Sequence, residues 1–290
     1  MIRTWYDVGI TIPDGATGEV RTLCPQCSAS RHKSRVPCLA VSIDKGTWLC
    51  HHCGWKGGLS GRAHRLHTSY APQSPAAPDE RKRVALGRVW SEAYPITEHD
   101  PVSTYLNRRG IALPLADLPL VLRYHAHLVY RHEDGSHTYH PAMVARVDDA
   151  YGHSVSIHRT YLTRDGRKAD VLTVKKLMPP VRPGATRGGA IRLHPAGETL
   201  AVAEGIETAL AVRLATGLPV WATICAGGLA QLGVPPNVRL VVICADHDLA
   251  GLDAAQSLAR RLLVEQRRVK ILTPDTPGTD WADLQGVGHG

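Results

Sequence analysis

The chain has 290 residues, of which 43% are hydrophobic, and carries a formal net charge of +8 with seven cysteines. That length allows two or three domains with real cores, while no apolar run approaches the ~20 residues of a membrane span and the N-terminus lacks the apolar centre of a signal peptide, so a membrane protein is excluded. An odd cysteine count, with four cysteines in CxxC pairs, argues against a disulfide framework and for metal binding in a reducing compartment, so a cytoplasmic protein is expected.

Cys24-Pro-Gln-Cys27 and Cys50-His-His-Cys53 form CxxC-x22-CxxC, two knuckles able to deliver four thiolates to one tetrahedral Zn²⁺. Cys38–Ile43 and Thr47–Leu49 read as the hairpin of a zinc ribbon. A redox CxxC is the rival, weakened by the presence of two pairs. His51 and His52 lie inside the second knuckle and leave a three-cysteine, one-histidine set open beside the preferred four cysteines. Cys38 reads as a small buried apolar residue of a strand. Trp48 and Trp55 flank the second knuckle, and Arg31, His32, Lys33 and Arg35 lie between the knuckles. Such neighbours can stack bases and hold phosphates of a single strand, with core packing the competing role, more for Trp48 than for Trp55. The wording CPQC…WLCHHCGWKGG is similar to the zinc-binding domains that precede phage primase cores, and the resemblance implies a part in choosing the template site. The ribbon is assigned to residues 1–63.

From Ser60 to Arg83 the sequence is rich in Ala, Pro and Ser with no sustained period, so residues 64–83 are expected to be an extended linker. Arg83–Ala93 has helical patterning. Asp100-Pro101 is an N-cap followed by proline at the first helical position, with Gly110 as the stop. Val121–Tyr124, Leu128–Arg131, Pro141–Val147 and Ser154–Leu162 read as antiparallel strands of an α+β subdomain over 84–195. Cations recur through it at Arg123, Arg146, Arg159, Lys168, Lys175 and Lys176. A half-buried strand arginine requires water, a carboxylate or a phosphate as partner, so either surface strands or a phosphate-binding groove is predicted. The order MVARVDDAYGHSVSIHRTYLTRDGRKA resembles the N-terminal subdomain of primase cores. On that resemblance Arg146, Arg159 and Lys168 face nucleic acid, Lys175 and Lys176 less securely.

Beyond residue 196 strands alternate with helices: Leu200–Ala203, Val220–Ile224, Leu240–Ala245 and Val269–Thr273, with helices at Glu207–Thr216 and Asp253–Glu265. This pattern predicts a parallel α/β sheet of about four strands over 196–290. Two strands end in acids, Glu204 with Glu207 after the first and Asp246 with Asp248 after the third, and these open onto one crevice if the strands are neighbours. Oxygen-only clusters suit Mg²⁺ or Mn²⁺; capping of the following helices is the alternative role. Ala226-Gly227-Gly228 is a weak phosphate-cradle signal, and Asp280 and Asp283 in GTDWADL rank below Asp246. Cations predominate up to residue 195 and acids beyond it, which suits a polyanion gripped upstream and cations held downstream.

The Glu-Gly pair after the first parallel strand and the Asp-x-Asp followed by Ala-Gly after the third resemble the Toprim domain of primases, topoisomerases and some nucleases. AEGIETAL and PGTDWADL look most like the Toprim of phage and plasmid primases. The resemblance implies that Glu204, Asp246 and Asp248 form the metal-binding catalytic centre, with Asp280 a weaker member. It implies a DNA primase joining NTPs into short RNA primers on a single-stranded DNA template, in a bacterial or phage-infected cell, with a separate replicative helicase as partner. A Toprim nuclease and a non-catalytic zinc-ribbon adaptor that binds single strands and loads a helicase remain the alternatives.

Overall fold

Strands of alternating burial build the first sheet. In the computed structural model, which describes residues 4–29, 34–50, 52–59, 77–275 and 281, β1 (Glu19–Thr22), β2 (Leu39–Ser42), β3 (Thr47–Cys50) and β4 (Lys56–Gly58) pair antiparallel in that order. Leu39, Val41, Trp48 and Cys50 point inward at every second position. Trp48 lies over Gly57, where a β-carbon would come within 2.3 Å of the indole, so β4 needs glycine there. Trp5 and Trp55 flank Trp48 at centroid distances of 6.1 and 5.1 Å. This sheet belongs to the first of two compact units, Met1–Pro75 and Ala76–Gly290.

The second unit opens with α1 (Glu80–Ser91). It starts three residues before the periodic pattern does, because the Asp79 carboxylate accepts from the Arg81 and Lys82 amides. α2 (Pro101–Arg108) has the expected start: Asp100 Oδ1 accepts from Val102 and Ser103 N–H, each at 2.8 Å. Then come β5 (Leu122–Arg131), β6 (His137–Asp148), β7 (Ser154–Tyr161) and β8 (Lys175–Leu177), an antiparallel sheet in sequence order. The two short strands expected at 121–124 and 128–131 are one strand, interrupted by a register shift between His125 and Leu128.

The parallel part comprises β9 (Thr199–Ala203), α3 (Ile206–Thr216), β10 (Val220–Ala222), α4 (Ala226–Gln231), β11 (Leu240–Cys244), α5 (Leu249–Val264) and β12 (Arg268–Leu272). All strands of this sheet are parallel, in the order β10-β9-β11-β12. α3 stops at Gly217 in the left-handed conformation, φ +69°. Both sheet faces are covered, as buried parallel sheets require. On one face Ala201, Ala203 and Val242 pack with Leu210 of α3, Leu106 of α2 and Met143 of β6, so one core joins the two sheets. On the other, Val202, Val241 and Ile243 pack with Leu229 of α4 and Leu258 of α5. Among the described residues no helix is long and apolar enough to cross a membrane.

Candidate functional site

The two CxxC turns bring their sulfurs together. Sγ of Cys24, Cys27, Cys50 and Cys53 all lie within 4.8 Å of one another, with Cys24 to Cys53 at 3.8 Å and Cys27 to Cys50 at 3.7 Å. A tetrahedral Zn²⁺ with Zn–S of about 2.3 Å has sulfur–sulfur edges of about 3.8 Å, so the quartet fits the ion. Among the described residues no other group of three or more potential ligands converges this closely. His51 lies outside the described residues. Cys38 is buried as expected, but its sulfur also touches Cys50 and Cys27, at 3.6 and 3.8 Å. Trp55 is half-buried against Trp48.

The acids stand at a topological switch point. β9 is followed by α3 and then by β10 on one side of it; β11, on its other side, is followed by α5 on the opposite face. Ala203 and Cys244 are register partners, so Glu204 and Asp246 leave neighbouring strands at the same carboxyl end, between connections that diverge. Glu204 and Asp246 are half-buried and Asp248 is exposed. Asp248 also caps α5, its Oδ1 accepting from Gly251 N–H at 2.7 Å, and this is why α5 begins four residues before the expected start. Among the described residues the three carboxylates are not gathered into one cluster as the thiolates are. Carboxylates on two neighbouring strand ends suit Mg²⁺, which takes one or two carboxylates and completes its shell with water and substrate phosphate oxygens. Asp280 and Asp283 lie outside the described residues.

Further residues shape the turns around these acids. His247 donates from Nδ1 to the Pro274 carbonyl at 2.7 Å, pinning the Asp246–Asp248 turn to the end of β12. Ile224 has φ +75°, a left-handed conformation costly for a β-branched residue, and donates its N–H to the Glu204 carbonyl at 2.8 Å. Gly228 packs so closely on Thr223 that a β-carbon would lie 2.2 Å from its carbonyl oxygen.

Glu207, expected beside Glu204 in the acidic cluster, is instead buried and paired. Its Oε2 accepts from Lys175 Nζ at 2.7 Å and its Oε1 from the Tyr105 hydroxyl at 2.6 Å. Burial pushes the carboxyl up, but the Lys175 ammonium and the two hydrogen bonds outweigh it and hold Glu207 well below the usual carboxylate range.

The cations expected to form a groove divide between two faces. Arg123, Val144, Arg159 and Lys176 form one cross-strand row over β5 to β8. Residues of this face pack with Leu86, Val89 and Trp90 of α1, so α1 covers part of the face that carries the row. Arg123 stacks on Trp90 at 4.3 Å, Lys176 lies 3.7 Å from the Tyr130 ring centroid, and Arg159 is half-buried beside Tyr161. Arg146 is fixed by Asp148 at 2.9 and 3.2 Å, and Lys168 is exposed. Lys175, one residue out of phase with Lys176, faces the opposite way.

A cavity of about 720 Å³, lined by Arg146, Arg192, His194, Arg213 and Trp221 among others, lies towards the other end of α3 from Glu204. Its arginines are already engaged: Arg146 by Asp148, Arg192 by the Asp149 and Ala150 carbonyls, and Arg213 by the Gly217 carbonyl.

In comparison with known families, residues 199–288 match the Toprim domain family. Residues 80–188 match a domain of unknown function, DUF7146. Among solved structures the chain is similar to the Aquifex aeolicus primase, zinc-binding and RNA polymerase domains, at 19% identity over 93% of this chain and 76% of that one, TM-score 0.48. It is similar to a DNA primase domain from Pseudomonas aeruginosa at 18% identity over 54% of this chain, TM-score 0.39, and spans about half (51%) of that protein. A DnaG primase catalytic domain bound to ssDNA matches at 17% identity over 73% of this chain and 70% of that one, TM-score 0.40. No curated protein matches the sequence.

Proposed function

We propose that the protein is a DNA primase that joins ribonucleoside triphosphates into a short primer on single-stranded DNA during phage or plasmid replication. The observation that carries the reading is the placement of Glu204 and Asp246 on neighbouring strand ends at the switch point of the Toprim sheet, with Asp248 on the same turn. The reaction joins the 3′-hydroxyl of one nucleotide to the α-phosphorus of the next, with pyrophosphate leaving. Asp246 and Asp248 hold Mg²⁺ or Mn²⁺, and Glu204 either shares that task or accepts the hydroxyl proton. Bound there, the metal neutralises charge developing on the phosphate oxygens and orients the triphosphate. The Cys24, Cys27, Cys50 and Cys53 quartet holds one structural Zn²⁺, and the ribbon meets the template. Of the upstream cations, Arg146, half-buried and paired with Asp148, and the exposed Lys168 are the ones assigned to template phosphates.

The test is to incubate the whole chain with a single-stranded template, Mg²⁺ and labelled NTPs. Primer is the expected product; a cleaved strand assigns the acids to a nuclease, and neither product assigns the chain to the adaptor class. In the Asp246→Asn, Asp248→Asn double variant primer yield is expected to fall about 100-fold or more, with single-strand affinity retained. Normal yield from that variant would remove the acids from catalysis.

A further inference from the structure

We infer that Glu207 is a positioning residue that holds the Lys175 ammonium at the mouth of the acidic crevice, where it contacts a phosphate group of the substrate. The inference rests on the primase reading for the identity of that substrate, but its geometry is independent of it.

The sequence places two carboxylates in Glu204-Gly205-Ile206-Glu207, and the fold gives them different tasks. Glu204 ends β9, while Glu207 is in the first turn of α3 and folds back over Gly205: its Oε2 lies 3.6 Å from where a β-carbon on Gly205 would stand. The ammonium that this oxygen accepts from is therefore next to the residue that follows Glu204, at the carboxyl end of the sheet. The pleat sends Lys175 this way: Lys175 pairs with Thr160 and shares a face with His158 and Leu177, whereas Lys176 and Arg159 face α1.

The ammonium is also left with capacity to bind. Lysine carries three N–H donors, and among the described residues the hydrogen-bond partner of Lys175 is Glu207 Oε2. Two donors remain, on a side chain 31% exposed, while Glu207 is 5% exposed. The carboxylate is anchored by the Tyr105 hydroxyl of α2, so the pair is tied to the core that joins the two sheets. A fully neutralised structural pair would be expected to close over its charges. This one presents a fixed cation to solvent beside the Glu204-Gly205 turn, and a phosphate oxygen placed between bound Mg²⁺ and Lys175 would be stabilised from both sides.

The phosphate could come from the incoming triphosphate or from the template, and two binding titrations separate them. Whole-chain wild type, Lys175→Met, Glu207→Gln and the combined variant are titrated with Mg-ATP and with a labelled single-stranded oligonucleotide, and primer synthesis is followed in parallel. The combined variant removes both charges together and is expected to fold even where Lys175→Met, which strands the buried Glu207 carboxylate, does not. Lys175→Met is expected to weaken one of the two ligands about tenfold or more. Glu207→Gln should weaken the same ligand, and the combined variant should bind it no worse than Lys175→Met, since one residue acts through the other. Lys175→Arg should recover part of the loss. Wild-type binding of both ligands by Lys175→Met overturns the inference, as do losses that multiply in the combined variant. A wild-type protein that binds as described but makes no primer overturns the primase reading and leaves the pair standing; normal priming with unaltered binding in Lys175→Met does the reverse.

Discussion

His158 illustrates what a single buried residue contributes at the junction of the two sheets. It is 6% exposed on the face of β7 that Lys175 and Glu207 also occupy, and its Nδ1 has no hydrogen-bond partner among the described residues. Burial, then the charge of Lys175, push its pKa down to about 4; Glu207 pulls the other way and Arg159 adds a smaller push down. The unfolded chain therefore takes up this proton near pH 6.5 and the folded one only near 4. Because the depressed folded value means that the unfolded state binds more protons in between, stability is full above about 6.5 and falls as pH drops towards 4, by on the order of 3 kcal/mol. Urea midpoints at pH 7.5, 6, 5 and 4.5 should trace this loss, and His158→Leu should flatten it. An equally steep profile in the variant would show that other groups carry the pH dependence.

At the level of elements, the turn from β11 into α5 depends on Gly251. A β-carbon there would stand 2.6 Å from the Asp246 carbonyl oxygen and 3.3 Å from Asp248 Oδ1, so any side chain pushes the first turn of α5 away from both acids. Gly251→Ala is expected to destabilise the protein by about 1–3 kcal/mol and to lower primer synthesis together with the thermal midpoint. Gly227→Ala, with nothing within 4 Å of its added carbon, is the control expected to change neither. This turn also marks the limit of sequence reasoning. Local chemistry was legible: the Asp100 cap, the Gly217 stop, the CxxC knuckles and the acids at strand ends all follow from residues a few positions apart. The start of α5 was not, because Leu249-Ala250-Gly251 carries a glycine that weakens helical patterning, and β8 was not, because three residues show no period. The cations of β5 to β8 were spaced as strands require, but which face α1 would cover is a tertiary fact. Likewise, the two partners of Glu207, Lys175 and Tyr105, lie 32 and 102 residues away in sequence.

For the whole molecule, the division into two compact units makes separate responses to metal removal the natural expectation. The first unit has four short strands and a core in which Cys24, Cys27, Cys38 and Cys50 stand among Ile10, Leu39, Val41 and Trp48. A core of that size rarely holds a fold alone, and small metal domains depend on the ion for most of their folding energy. Without Zn²⁺ four thiol groups would be left crowded at 3.7–3.8 Å contacts with no cation to bind them together. The second unit draws its stability from the core shared by the two sheets and from the core beneath α4 and α5, neither of which includes a residue of the quartet. Treating the whole chain with a zinc chelator, or replacing Cys24 and Cys27 by serine, should therefore abolish amide-exchange protection in β2 and β3 and leave it intact in β9 and β11. The same treatment should release one zinc per chain. Protection lost equally from both units would mean that the ribbon supports the Toprim core directly, and protection retained in β2 and β3 after complete zinc release would mean that the four cysteines are not what holds the ribbon folded.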